Sequence, residues 1–324
     1  MSTELLDVAN LEKIVSAAVA APSIHNTQPW RFRLATETMT LQIRAAADRG
    51  LRHIDPCGRA LHLSVGCALF NVRLAVAHFG WEPVTRLLPR PDEPGLLATV
   101  RLGGTARFSP TPGLYDAVWR RHSSRFPFSA RTLPTTLLHE LAEAVHAEGA
   151  QLGYPDPEET DRLLRLTLEA ERRTTADRDR AVESRRWVRE PDAAALGIPP
   201  LAVGPQDYRD RLPVRDFEAH RHPATLTAQA FEQQPTIAVL STPHDRRADW
   251  LRAGQALQHA LLVATAAGVR ASLLHQALEW PDLREQLAKP ENGPVQAQMV
   301  IRLGYGPEGP ASPRRTAAQA LEEG

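Results

Sequence analysis

The chain has 324 residues, 43% of them hydrophobic, and a formal net charge of zero; it can bury a substantial core, and no global charge draws it to nucleic acid or an anionic membrane. Its two cysteines, Cys57 and Cys67, are too few for a disulfide framework or a zinc site and point to a reducing compartment. Lys13 and Lys289 are the only lysines, so arginine supplies nearly all the positive charge, and arginine is the better bidentate phosphate ligand.

Glu4, Asp7, Glu12 and Lys13 interrupt the apolar residues at the start, unlike a signal peptide, and no apolar run reads as membrane-spanning, so a cytoplasmic protein is expected. Leu11, Ile14, Val15, Ala18 and Ala21 recur at helical spacing, and Trp30-Arg31-Phe32-Arg33-Leu34 alternates like a half-buried strand. Between them Ala21-Pro22-Ser23-Ile24-His25-Asn26-Thr27-Gln28-Pro29-Trp30 must turn the chain. Such turns fold their polar side chains back on the backbone or aim them at a ligand, and the residues alone leave both readings open.

Residues 41–45 read as a partner strand, and 61–79 as a helix apolar on most sides, hence buried between layers. Residues 81–88 and 96–102 are predicted strands. Helices follow over 114–121 and 136–147, a buried strand over 236–240, a long helix over 250–267, and strands over 269–274 and 296–303 flanking a helix over 281–287.

Two spacings suggest a repeat. Gly66-Cys67-Ala68-Leu69, with Leu74 and Gly80, matches Gly254-Gln255-Ala256-Leu257, with Leu262 and Gly268, at an offset of 188 residues; Leu11, Ile14, Ala17 and Ala20 match Leu138, Leu141, Ala144 and Ala147 at 127. The difference, 61 residues, predicts an insertion in the second half, within about 154–234. It opens with a charged helical pattern over 158–190, in which Glu169, Glu171, Arg172 and Arg173 look solvated, and continues as a proline-punctuated stretch from Pro191 to Pro223. Structureless segments of this length are lids, binding loops or surface excursions.

Pro22-Ser23-x-x-Asn26-x-Gln28-Pro29-Trp30 resembles the flavin-contacting segment of the nitroreductase superfamily, and the longer form through Arg31-Phe32 resembles its Acg-like branch. That resemblance implies an α+β nitroreductase-like fold with two fused halves, about 1–110 and 113–315, forming an intrachain pseudo-dimer with a lid-like insertion and one FMN. In the superfamily each flavin site draws on two chains, one giving an Arg-x-Ser-x-basic segment and the other the Pro-Ser turn. Arg121-His122-Ser123-Ser124-Arg125 resembles the first, while Gly149-Ala150-Gln151-Leu152, the second half's counterpart of the turn, lacks the Pro-Ser and Asn pattern. The parts therefore make one composite site.

The cofactor-binding residues so implied are Pro22, Ser23, Ile24, Asn26 and Gln28 from the turn, Arg121, Ser123 and Arg125, His275 and Gln276 after the 269–274 strand, and Arg314 and Arg315 in a tail that resembles the family's terminal element. Ser23 and Asn26 are expected on flavin or ribityl polar atoms, with Gln28 holding the turn. His275-Gln276 departs from the Glu-Gly or glycine-containing sequences of many catalytic members; His275 is either a proton donor or a residue of the helix approach. No catalytic side chain is required, because flavin N5 would carry the hydride between NAD(P)H and a small-molecule acceptor. The alternative is an FMN-storage protein with a lidded flavin. No metal site is read: His139-Glu140 lacks the second histidine at helical spacing, and no phosphate-binding glycine fingerprint or serine elbow occurs. With its halves already paired, the chain is expected to be a monomer.

Overall fold

The computed structural model describes residues 8–106, 112–217, 228–287 and 295–322. Glu4 and Asp7, the boundary at 110, Pro223 and Lys289 lie outside them.

The chain runs α1 (Val8–Val19), β1 (Trp30–Ala35), β2 (Thr40–Ala45), α2 (Arg59–His78), β3 (Trp81–Leu87), β4 (Leu96–Thr105) and α3 (Leu114–Arg120). It continues through α4 (Thr135–Ala147), β5 (Gln151–Gly153), α5 (Pro157–Ala176), α6 (Arg178–Arg185), β6 (Gln206–Asp207), β7 (Ala228–Gln229) and β8 (Thr236–Thr242). The last elements are α7 (Arg247–Ala266), β9 (Arg270–Leu273), α8 (Pro281–Gln286), β10 (Gln296–Gly304) and α9 (Ala317–Ala320). Two antiparallel sheets have the same strand order, β1-β2-β4-β3 and β5-β8-β10-β9. α2 packs on the first and α7 on the second, and the two helices pack on each other.

That helix pair is the centre of the molecule. Gly66 and Gly254 stand at the crossing: a Cβ on Gly66 would lie 2.3 Å from the Leu251 carbonyl oxygen, and one on Gly254 2.1 Å from that of Leu63. The contact is reciprocal, and only glycine lets the backbones approach so closely. In the same interface Gln258 Nε2 donates to Asn71 Oδ1 at 2.8 Å and Asn71 Nδ2 to the Ala17 carbonyl at 2.7 Å, whereas Gln258 Oε1 is buried without a hydrogen bond among the described residues. α2 is long and apolar enough to cross a membrane, more than the sequence reading allowed, but it is spent on this core, with side chains from Leu63 to Val76 buried against α1, α7 and the first sheet.

Between β5 and β8 the extra segment contains α5 and α6 rather than one continuous charged helix. Asp177 ends α5 and its carboxylate caps α6, accepting from Asp179 N and Arg180 N. The segment is fastened to the first half: Glu183 on α6 accepts from the amides of Arg52, His53 and Ile54 at 2.7–2.9 Å. Directly after them, Asp55 caps α2 through the amides of Ala60 and Leu61.

Candidate functional site

The turn after α1 is strained and held. His25, Asn26 and Gln28 all take left-handed backbone conformations, with φ of 48°, 54° and 47°, which non-glycine residues adopt only where surroundings enforce it. The enforcement is visible. Ser23 Oγ accepts from Gln28 N, Ser64 Oγ from Ile24 N, and the Gln28 carbonyl takes a 2.7 Å bond from Arg49. Asn26 Nδ2 donates to the carbonyls of Gly197 and Pro313, while Gln28 Nε2 donates to Ala195 O and its Oε1 accepts from Arg315 N. The turn is thus the junction of the first half, the insertion and the tail.

Beside it lies a cleft with about 930 Å³ of empty space. α2 contributes Arg59, Leu63, Ser64 and Cys67, α7 contributes Leu257, and the second sheet Leu273 and Met299. The segment after α3 runs along the free edge of β9, with Ser124 N bonded to Ala271 O, and so brings Ser123 and Arg125 to the wall. Ile198 of the insertion closes one side.

Of the residues expected at the site, Pro22, Ser23, Ile24, Asn26, Ser123, Arg125, His275 and Arg314 line this cleft. Gln28 is buried beneath the turn, and Gln276 is buried with its amide on the Pro213 carbonyl. Arg121 and Arg315 line a neighbouring cleft that shares His122, Ser312 and Arg314 with the first. The Asn26 side chain, expected on a flavin atom, has both ends engaged within the protein, its Oδ1 taking a 2.8 Å bond from Arg314.

Arg59, His25, Arg215 and Glu279 had no role assigned from the sequence. Arg59 carried a weak signal as a charge opening an apolar helix; Arg215 and Glu279 carried none.

Arg59 and Arg121 are buried, whereas Arg125 and Arg314 sit deep in the protein but keep accessible area on the cleft. None of the four forms an ion pair with a carboxylate among the described residues. Their bonds go to carbonyls or amides: Arg59 to Gln298 O, Arg121 to Ala20 O, Arg125 to Ala202 O and Arg314 to Asn26 Oδ1. Arg121 Nε and Arg314 Nε are buried without any hydrogen-bond partner among the described residues. Burial lowers Arg59, Arg121 and Arg125 to about 10, and burial with the repulsion of Arg121 lowers Arg314 to about 9. Buried, uncompensated guanidinium groups are expensive, and an anion entering here would recover that cost. Cys67 on the same wall is pushed up to about 12 by burial and stays a thiol.

At the other side of the cleft is a buried charge cluster. Arg215 of the insertion donates through Nη2 to both oxygens of Glu279, at 2.8 and 2.9 Å, and lies 2.9 Å from His25 Nε2. Glu279 also pairs with His275 Nδ1 at 2.6 Å. His25, His275 and Glu279 have the composition of a metal site, with donor atoms within 4.8 Å of one another, but the Arg215 guanidinium already supplies the cation there.

Glu171, expected in solvent, lies behind Arg215, 3.6 Å from its Nε, and burial raises it to about 7 despite that arginine. A carboxyl raised in the folded state stabilises it below the ordinary value near 4.5 and loses that contribution as pH rises through about 7. Glu171→Gln should therefore remove part of the stability loss between pH 5 and 7.5 in urea denaturation; an unchanged pH profile would show that Glu171 titrates normally.

No family model matches the chain. A solved structure from Anabaena variabilis, described as a nitroreductase, is similar to it with a TM-score of 0.50 at 12% identity, over 92% of this chain and 88% of that one; the architecture is the nitroreductase fold. The Mycobacterium tuberculosis protein Rv3131, provisionally named an NAD(P)H nitroreductase, is 29% identical, covering 99% of this chain and 94% of its own. The product of acg from the same organism, named likewise, is 28% identical over 94% and 93% of the two chains. Over nearly its whole length the chain is thus similar to proteins named as NAD(P)H nitroreductases, the acg product among them, and this agrees with the resemblance carried by the turn.

Proposed function

We propose that the cleft binds FMN and that the protein is an FMN-dependent oxidoreductase of nitroreductase type, taking electrons from NAD(P)H and passing them to a small-molecule acceptor. The carrying observation is a set of four deep arginines without carboxylate partners among the described residues, Arg59, Arg125 and Arg314 on the cleft and Arg121 on the adjoining one that shares Arg314, with the Nε atoms of Arg121 and Arg314 orphaned. A phosphate dianion answers that excess charge with charge-assisted bonds from Arg121, Arg314 and Arg125, joined by the Ser123 hydroxyl. The apolar wall of Leu63, Leu257, Leu273, Met299 and Ile198 suits a planar ring system. Bound FMN would supply hydride chemistry at N5.

The same reading makes the two sheets of equal strand order fused halves, about 1–110 and 113–315, each contributing what the other lacks. Such a chain completes its site without a partner, and we assign it as a monomer acting on small molecules.

A specific observation also favours the storage alternative. The insertion is bolted to the site by Asn26 to Gly197, Gln28 to Ala195, Arg125 to Ala202, Gln276 to Pro213 and Arg215 to Glu279. A cover held this way excludes water and also slows the approach of a nicotinamide. Anaerobic titration of the FMN-loaded protein with NADPH and NADH separates the readings. Bleaching of oxidised-flavin absorbance within seconds supports the oxidoreductase; no bleaching, with dithionite still effective, supports storage.

Gly197→Val tests the cover. A Cβ there would lie 2.6 Å from the Trp187 carbonyl oxygen, and the residue has φ of 82°. The insertion should shift off Asn26, and nicotinamide reduction of the flavin should accelerate about tenfold or more, a release of at least ~1.4 kcal/mol of closure. An unchanged rate would mean that closure does not limit access.

A further inference from the structure

His25 and His275 line the cleft, and Arg215 and Glu279 stand behind them as their hydrogen-bond partners. These hydrogen bonds settle which nitrogens carry protons. Arginine has only donors, so His25 Nε2, 2.9 Å from Arg215 Nη1, must accept, and the proton of neutral His25 sits on Nδ1. That Nδ1 is buried without a hydrogen-bond partner among the described residues, and His25 is only 3% exposed. His25 is therefore poorly placed to exchange protons with a ligand.

His275 is the reverse case. Glu279, doubly bonded by Arg215 and nearly inaccessible, accepts from His275 Nδ1–H at 2.6 Å. Nε2 is then the nitrogen free to take up or release a proton, and it makes no hydrogen bond among the described residues. The ring lines the cleft and its side chain keeps 15% of its accessible surface. A carboxylate that fixes the tautomer and orientation of an imidazole facing a cavity is the arrangement of an acid–base residue with its orienting partner.

We propose that His275 is the proton-transfer residue of this site, with Glu279 and Arg215 as its positioning residues, serving an acceptor whose two-electron reduction takes up a proton together with the hydride. The inference rests on the FMN reading above. Bound FMN, reduced by NAD(P)H, would supply the hydride, two electrons and one hydrogen, to the acceptor. The acceptor, a quinone for example, forms a new O–H bond with the proton released when the Nε2–H bond of His275 breaks. The imidazole returns to its neutral form and is reprotonated from solvent. A quinone thereby becomes a hydroquinone, and charge and hydrogen balance without a further reactant.

The groups facing His275 set the direction of its pH dependence. Burial lowers its pKa below the ordinary value, Glu279 opposes that shift, and Arg215 and Arg59 reinforce it. Around these stand His25 on the turn, Arg125 near Arg215, Glu171 on α5 and Arg180 on α6, 3.9 Å from Glu279. The protonated fraction falls as pH rises through a value below 6.5, so proton-requiring turnover should be faster in acid.

The test uses the full-length protein. Flavin absorbance of the purified protein, and its bleaching by NADPH, first decide the FMN reading on their own. The reduced protein is then mixed in stopped flow with menadione, which needs a proton, and with ferricyanide, which needs none, from pH 5.5 to 8. His275→Gln should lower the ratio of menadione to ferricyanide rates about 100-fold and flatten its pH dependence, whereas Glu279→Gln should move the acid limb to lower pH. Equal ratios in wild type and His275→Gln would overturn the proposal. Nitrogen-15 NMR of histidine-labelled wild type, with or without flavin, gives a readout independent of turnover and of any variant's folding: Nδ1–H on neutral His275 is expected, and Nε2–H would overturn the assignment.

Discussion

Replacing Arg121 and Arg314 together by alanine is expected to strip the protein of flavin. Each contributes a charged donor that the fold leaves without a carboxylate, and hydrogen bonds to charged groups contribute roughly 1.5–3 kcal/mol apiece. Losing both should weaken FMN binding by ~3–6 kcal/mol, roughly 10²- to 10⁴-fold. The measurement is flavin content after desalting, followed by fluorescence titration of the apoprotein with FMN and with riboflavin. Riboflavin lacks the phosphate, so its affinity should fall little in the same variant. Arg125 makes a less clean probe: it also donates to Ala202 O and lies over the Phe217 ring, 5.4 Å from the centroid, so its removal loosens the insertion as well. Arg172→Ala, on the exposed face of α5, is the control. A double variant that purifies with stoichiometric FMN would sink the composite-site reading.

Gly66→Val and Gly254→Val should each destabilise the protein severely. At most core positions an enlarged side chain costs about 1–3 kcal/mol because neighbours shift rotamers. Here the nearest atoms are backbone, the Leu251 carbonyl oxygen at 2.3 Å and Gly254 Cα at 2.9 Å from a Cβ on Gly66, and whole helices would have to part. A loss of roughly 3 kcal/mol or more follows, with a fall in Tm on the order of 5–10 °C. Because both residues meet at one crossing, Gly66→Ala and Gly254→Ala should not add: the first opens the gap that the second would fill. Thermal denaturation of the two singles and the double measures this, and strict additivity would mean that the helices do not meet at these glycines. Since α2 carries Arg59 and Leu63 into the cleft and α7 carries Leu257, parting them should also loosen flavin binding.

By itself the sequence determined the elements and the chemical character of the site. Helical spacing in α1, α2 and α7 and alternation in β1 reflect local periodicity, which a chain displays before it folds. The dense Pro-Ser-x-x-Asn turn and the Arg-x-Ser-x-Arg segment carried the resemblance to the nitroreductase superfamily for the same reason: each is contiguous. Even the glycine pair was legible as an offset, although not as a contact.

Tertiary structure alone decided which groups meet. Arg215 and Glu279 are separated by 64 residues and His25 by 190 from Arg215, and no periodicity in the sequence couples them. Glu171 reads as solvated because its neighbours on α5 are charged, and it became a largely covered acid only when the segment carrying Arg215 folded back over it. Asn26 shows the same limit from the other side. Its place in the turn is visible in the sequence, but a side-chain amide bonds to whatever carbonyl is nearest, and packing brought Gly197 and Pro313 there. Periodicity specifies which face of an element is apolar; the pairing of buried charges depends on distances that exist only after the two sheets, the central helices and the segment between β5 and β8 have closed on one another.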